Sequence, residues 1–217
     1  MPVAPLPRVR AEVVAVSRRL HQNGWVANHD GNISVRLNGD RLLITPTAVS
    51  KRDVDDSMLI IVDRNGKVLE GRRKPFSELS FHLAIYRARP EAEAVLHAHP
   101  PHATAFGLVG AELSPIAIPE MVVSLGPRVP CVARDADAVE KAAREVDAML
   151  VLGNGAFTLG ADLNQALLRM ELVEHYAKIL SIARALGSVA GLSEAEVGKL
   201  LEARKKAGLG PPIKSGK

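Results

Sequence analysis

Two histidines spaced i, i+2 close the apolar run Val95-Leu96-His97-Ala98-His99, and Pro100-Pro101 follow at once. Alternate side chains of a β-strand share a face, so His97 and His99 can aim two imidazoles at one point. The prolines stop the strand, which places the pair at its carboxyl end, where open α/β sheets gather their ligands. Two neutral imidazoles suit zinc, iron or another divalent ion, although the same spacing also occurs in histidines that hold none. Glu78 lies nineteen residues earlier in the first turn of an expected helix. A carboxylate there complements the helix dipole. Next to two histidines it could also be a third ligand, a general base, or both in turn.

These residues need elements to bring them together. Val9, Val13, Val14, Val16 and Leu20 fall at helical spacing, and the run stops at Asn23-Gly24. Short β-type segments follow at 33–37, 41–44, 58–62 and 67–69, separated by the hairpin signals Asn38-Gly39-Asp40 and Arg64-Asn65-Gly66. A helix is expected over 77–88, stopped by Pro90, and it leads into the His97 strand. Beyond it the pattern predicts a Pro-initiated helical turn at 102–108, a β-type stretch at 115–118, a helix at 135–146, and β segments at 149–152 and 156–159. The last two are broken by Gly153-Asn154-Gly155. A long helix capped by Asp162 runs to about residue 186 with Leu163, Leu167, Met170 and Val173 on its buried stripe. One helix and one tight turn return Glu78 toward the end of the histidine strand.

Composition narrows the function. Among 217 residues, 47% are apolar and only 3% aromatic, so base stacking has few residues to use. The formal charge is +4, and from Leu192 onward six Lys/Arg face three Glu, so the C-terminal end carries most of the excess. Such an end is usually solvated, and neither nucleic acid nor a membrane is expected as a partner. Cys131 is the single cysteine, which excludes an intrachain disulfide and points to the cytoplasm. The N-terminal segment lacks the basic and apolar regions of a signal peptide.

The order of the chemical segments is more specific than any one of them. Gly31-Asn32-Ile33-Ser34-Val35-Arg36, Thr45-Pro46-Thr47, Ser77-Glu78, His97-Ala98-His99 and a glycine turn before a long helix containing Glu171-Leu172-Val173-Glu174-His175 together resemble the class II aldolase/adducin family. The resemblance covers roughly residues 8 to 185. It implies an α/β fold, a three-layer α/β/α sandwich around a mostly antiparallel sheet, in a domain of residues 1–190 followed by a basic helix and tail at 191–217. It also implies homotetramers, a small-molecule substrate, and a divalent metal, zinc foremost, with iron or manganese as alternatives. His97 and His99 would be metal ligands, Glu78 the acid/base carboxylate, and Asn32, Thr47 and Ser77 the substrate-binding residues. The implied reaction is a lyase step: cleavage or formation of a C–C bond in a small hydroxy-carbonyl or sugar-phosphate-like compound through a metal-stabilised enediolate.

Three positions depart from the family pattern. Where a third histidine ligand would precede the glycine of the turn, this chain has Asn154, a weaker neutral ligand. Glu78 could then complete the site, and His102 is a second candidate, while His29 and His175 read as structural or surface residues. Phe76 and Ala48 replace a serine and a glycine of the phosphate site, removing a hydroxyl donor and adding a methyl. Decarboxylation or epimerisation on the same scaffold is therefore an alternative. So is a catalytically degenerate, adducin-like binding protein.

Overall fold

The computed structural model describes residues 6–210 apart from Gly39. The start of the proline-rich leader, the middle of the first hairpin turn, and Lys214 and Lys217 lie outside the described residues.

Helix α1 (Leu6–Gln22) buries Val9, Val13 and Leu20. Strands β1 (Asn32–Leu37), β2 (Arg41–Ile44), β3 (Ile60–Asp63) and β4 (Val68–Glu70) then form the hairpins that the turn residues predict. Helix α2 (Leu79–Ala88) leads to β5 (Ala94–Ala98), α3 (Pro101–Leu108), α4 (Pro119–Leu125), β6 (Cys131–Val132) and α5 (Ala136–Ala143). Strands β7 (Ala148–Val151) and β8 (Ala156–Gly160) precede the long α6 (Leu163–Leu186) and α7 (Glu194–Lys206). The eight strands make one sheet in the order β4-β3-β2-β1-β5-β8-β7-β6. Every pairing is antiparallel except β6 with β7, which is parallel, so the sheet is mixed at that edge.

Two apolar clusters, one on each face of the sheet, give the three layers. Ala94, Leu96 and Ala98 of β5 pack with α1, α3, α4 and α6. Val95 turns to the other face with Phe157, Leu159 and the buried sides of α2 and α5. The strict alternation along β5 puts His97 on the α2 side, at the centre of the sheet.

Three stretches differ from the sequence pattern, the shortest being β6, which no local pattern announces. Residues 115–118 form no strand, because their backbone is taken up elsewhere. The Ala117 N–H donates to the Tyr176 hydroxyl at 2.9 Å, and that hydroxyl donates to the Pro115 carbonyl. Pro119 then opens α4, a short helix that the sequence pattern does not announce. The basic C-terminal end is also not wholly solvated. Arg204 of α7 is buried, donates to the Val123 carbonyl of α4 at 2.7 Å, and pairs with Asp147. Asp147 is fully buried and also meets Arg89 at 2.9 Å and Arg169 at 2.7 Å. One carboxylate thus ties the end of α2, α6 and α7 to the root of β7.

Candidate active site

His97 is the penultimate residue of the central strand β5, and its backbone faces Asn32 of β1 on one side and Phe157 of β8 on the other. Its ring stacks on Phe157 with centroids 4.2 Å apart, and its Nδ1–H donates to the Ala156 carbonyl at 3.0 Å. That hydrogen bond fixes the tautomer and leaves Nε2 as a bare lone pair, the arrangement usual in metal-binding histidines. Burial, and then the neighbouring His99, hold the His97 pKa well below the usual histidine value. Its ring is therefore neutral. His99 lies just past the strand, held by its N–H on the Trp25 carbonyl at 2.9 Å, and its Nε2 stands 3.1 Å from the Nε2 of His97. Two nitrogens sharing one tetrahedral zinc at about 2.05 Å each would be about 3.3 Å apart, so this pair fits such an ion with little movement. As the chain stands, His99 Nε2–H donates to the bare His97 Nε2; were both Nε2 atoms to hold a cation, the His99 proton would move to Nδ1, which lies 3.9 Å from Asp30 Oδ2.

Two glycines make this approach possible. Gly31 has φ +70, and a Cβ there would lie 2.5 Å from Val26 Cγ1 and 3.0 Å from the His97 carbonyl oxygen. Gly155 has φ +69, and a Cβ there would come within 2.3 Å of the Ala98 carbonyl oxygen and 2.6 Å of His99 Cδ2. The turn carrying Asn154 therefore runs directly against the histidine pair. Asn154 is buried, and its amide nitrogen has no hydrogen-bond partner in the structure. That open NH₂ group is a donor, so it suits an acceptor on a bound molecule, and ligation of a cation by this residue would fall to its Oδ1.

Glu78 immediately precedes α2. Its Oε2 accepts from Ser77 Oγ at 2.8 Å and from Asn32 Nδ2 at 3.2 Å. Asn32 lies opposite His97 in the β1–β5 ladder, so this contact brings the carboxylate to the histidine strand. Thr47 is held nearby. The Thr-Pro-Thr loop pairs with the loop before α2 through a bridge from Pro46 to Pro75, and the Thr47 N–H donates to the Lys74 carbonyl at 3.0 Å. Ala48 takes φ +56, the left-handed conformation that a glycine would adopt there, so the loop keeps its path despite the added methyl. Phe76 is buried and packs 4.9 Å from the ring of His82, so it forms part of the core wall.

His102 is otherwise engaged. Its Nδ1 pairs with Glu174 Oε1 at 2.8 Å, and the same carboxylate accepts from the His102 and Ala103 N–H groups at the start of α3. Glu174 thereby clamps α3, and with it the end of the histidine segment, to α6. Among the described residues no group of three or more His, Cys, Asp and Glu side chains could hold a metal. The histidine pair with Asn154 close by is what the fold assembles.

This chain belongs to the class II aldolase/adducin family. Residues 11–181 match the family described as Class II Aldolase and Adducin N-terminal domain. The chain is 29% identical over 213 residues to the 5-deoxy-D-ribulose 1-phosphate aldolase of Bacillus thuringiensis serovar kurstaki, covering 94% of this chain and 98% of that protein. It is 33% identical over 186 residues to the 3-oxo-tetronate 4-phosphate decarboxylase of Pectobacterium atrosepticum, covering 81% and 84%. A solved L-fuculose 1-phosphate aldolase superposes with TM-score 0.85 at 26% identity, covering 94% of this chain and 98% of that one. The chain has the fold of that solved aldolase and is an aldolase-type lyase.

Two functional candidates escape sequence reading. Lys51 is buried, and its ammonium donates to the His29 carbonyl at 3.4 Å and the Val49 carbonyl at 3.2 Å. Burial lowers its pKa to about 8, against the pull of the Asp30 and Glu78 carboxylates. A lysine in a polar loop gives no sign of burial. His82 is fully buried, and burial lowers its pKa to about 3. Its signal was legible, since it stands three residues after Leu79 and four before Tyr86, on the inner face of α2.

Proposed function

We propose that the chain breaks a C–C bond in a small hydroxy-carbonyl compound carrying an anionic group, a sugar phosphate or a related oxygenated acid. The observation that carries this reading is the convergence of the His97 and His99 Nε2 atoms, 3.1 Å apart, with a carboxylate held by Asn32, the residue opposite His97 in the ladder. His97 and His99 would hold a divalent cation, zinc foremost by their nitrogen chemistry, with Asn154 as a neutral third donor and iron or manganese as alternatives. Such a cation supplies Lewis-acid stabilisation of the negative charge that develops on a substrate oxygen as the bond breaks.

The chain's own groups do the rest. Ser77 and Asn32 occupy Glu78 Oε2, leaving Oε1 to take or return the substrate proton. The second N–H of Asn32, the Thr47 hydroxyl and the buried Lys51 ammonium are the donors for the anionic group. Aldol cleavage and decarboxylation leave the same electron pair on the substrate, so one constellation serves either reaction. Phe76 in the core wall, and the decarboxylase among the relatives, favour keeping decarboxylation as the second reading.

We further read the chain as a cytoplasmic homo-oligomer, a homotetramer by its family. No helix among the described residues is long and apolar enough to cross a membrane. On α6, Leu168, Leu172, His175, Ile179, Ile182 and Leu186 recur at alternating spacings of four and three, with Leu168 54% and Ile182 52% exposed. That spacing is a helix-pairing seam. It borders a groove of about 690 Å³ lined also by Trp25 and His102, which a second copy of the chain would cover.

The test is elemental analysis and turnover of the purified protein on aldol and 3-oxo acid phosphates, read separately for aldehyde and for CO₂, with mass in solution for the assembly. His97→Ala should lose both metal and activity while keeping the fold. Glu78→Gln should keep the metal and lose about 10²- to 10⁴-fold in kcat. Metal retained in the His97 variant, or full activity in the Glu78 variant, overturns the assignment.

A further inference from the structure

A continuous line of polar side chains runs from the interior of α2 to Glu78, and its direction is forced at every step. The carboxylate can only accept, so Asn32 turns its amide nitrogen toward Oε2, at 3.2 Å. The Asn32 oxygen must then face inward, where it meets His82 Nε2 at 2.6 Å. Nε2 therefore carries the proton, and the bare Nδ1 accepts from the Ser34 hydroxyl at 2.7 Å. The Tyr86 hydroxyl closes the line on the Ser34 carbonyl at 2.9 Å. His82 has no solvent exposure and sits between the rings of Phe76 at 4.9 Å and Phe157 at 5.7 Å. Reversing the Asn32 amide would set oxygen against carboxylate and NH₂ against the imidazole N–H, both in or beside a buried side chain.

We propose that His82 is a positioning residue for Glu78. As its Nε2–H tautomer it fixes the Asn32 amide, and through Asn32 it fixes the carboxylate so that Oε1 faces the reacting atoms. The second Asn32 N–H stays free for the substrate. Phe76, which replaces a hydroxyl by a ring, keeps this line dry. The inference rests on Glu78 being the proton carrier, and it adds a residue that touches neither substrate nor cation.

The experiment compares His82→Leu with His82→Gln, which keeps an N–H donor toward Asn32, in the metal-loaded protein. The leucine variant should lose about 10- to 100-fold in kcat, as expected for a displaced catalytic group, with a smaller rise in KM from the loosened Asn32 amide and metal content unchanged. Glutamine should recover most of that loss. In an Asn32→Ala background the leucine change should add little, because its route to Glu78 is already cut. Equal losses for Leu and Gln, a loss confined to KM, or additive losses with Asn32→Ala overturn the proposal. A readout independent of turnover is the ¹⁵N spectrum of histidine-labelled protein. His82 should show the neutral Nε2–H tautomer, with a resonance that shifts on Glu78→Gln. A parent chain without turnover defeats the role given to Glu78, and the spectrum still decides the line itself: an Nδ1–H tautomer, or a resonance blind to Glu78→Gln, refutes it.

Discussion

Gly153 and Gly155 flank Asn154 in one turn and offer a matched pair of perturbations. Both have left-handed φ, +64 and +69, so alanine at either position bears the same backbone penalty, about 1–2 kcal/mol. Their surroundings differ. Around Gly153 nothing lies within 4 Å of the added methyl, whereas at Gly155 it would meet the Ala98 oxygen at 2.3 Å and His99 Cδ2 at 2.6 Å. Both neighbours would have to retreat by several tenths of an ångström or more. Forcing a methyl into packed surroundings costs about 1–3 kcal/mol beyond the backbone penalty. In a domain of this size each kcal/mol moves Tm by about 2–4 °C. Gly153→Ala should therefore lower Tm by roughly 2–8 °C and Gly155→Ala by roughly 4–20 °C. Only the second displaces His99, so only it should weaken zinc affinity, by at least about tenfold as for other losses of ligand orientation. Thermal denaturation of the metal-free proteins and competition with a zinc-binding dye measure the two effects. Equal Tm losses together with equal zinc affinities would refute the claim that this turn is pressed against the histidine pair.

Asn154→His puts an imidazole in place of a weak neutral donor and should raise zinc affinity by more than about tenfold, measured by the same competition. Asp147→Asn leaves the guanidiniums of Arg89, Arg169 and Arg204 without their shared carboxylate and should cost about 3–5 kcal/mol in urea unfolding. Arg204→Ala should instead raise amide exchange selectively in α7. His82 contributes a pH dependence of definite sign. Its pKa is lowered to about 3 by burial, so below the ordinary value near 6.5 the unfolded chain binds a proton that the folded chain refuses. Stability from this group is complete above that pH and declines by about 1.4 kcal/mol per unit as pH falls toward 3. His82→Gln should flatten the stability profile between pH 6 and 4 by one proton, and an unchanged slope would contradict a neutral buried ring.

Features that repeat along the chain were legible before folding. The Asn38-Gly39 and Asn65-Gly66 turns announce antiparallel hairpins, and Asp162 marks the start of α6, because turns and caps are set by a few adjacent residues. The His-x-His spacing carries half of its own geometry: strand alternation sets the face of His97, while His99, one residue past the strand, is placed by its bond to the Trp25 carbonyl. Residues 115–118 misled because Ile116 and Ile118 are β-type residues at strand spacing. Their hydrogen bonds go to Tyr176, sixty residues away, and no local pattern shows that.

By itself, then, the sequence determined most of the elements, though not α4 or β6, and it marked the histidine pair, Glu78 and the residues Phe76, Ala48 and Asn154, for these depend on residue type and short-range periodicity. Tertiary structure alone decided which groups meet. Asn32 reaches Glu78 only because β1 pairs with β5. His102 is drawn to Glu174 by the packing of α3 on α6. Lys51 and Asp147 are charged groups in the interior because distant segments close over them. Such contacts follow from burial and from the need to satisfy every buried polar group, which are properties of the packed chain as a whole.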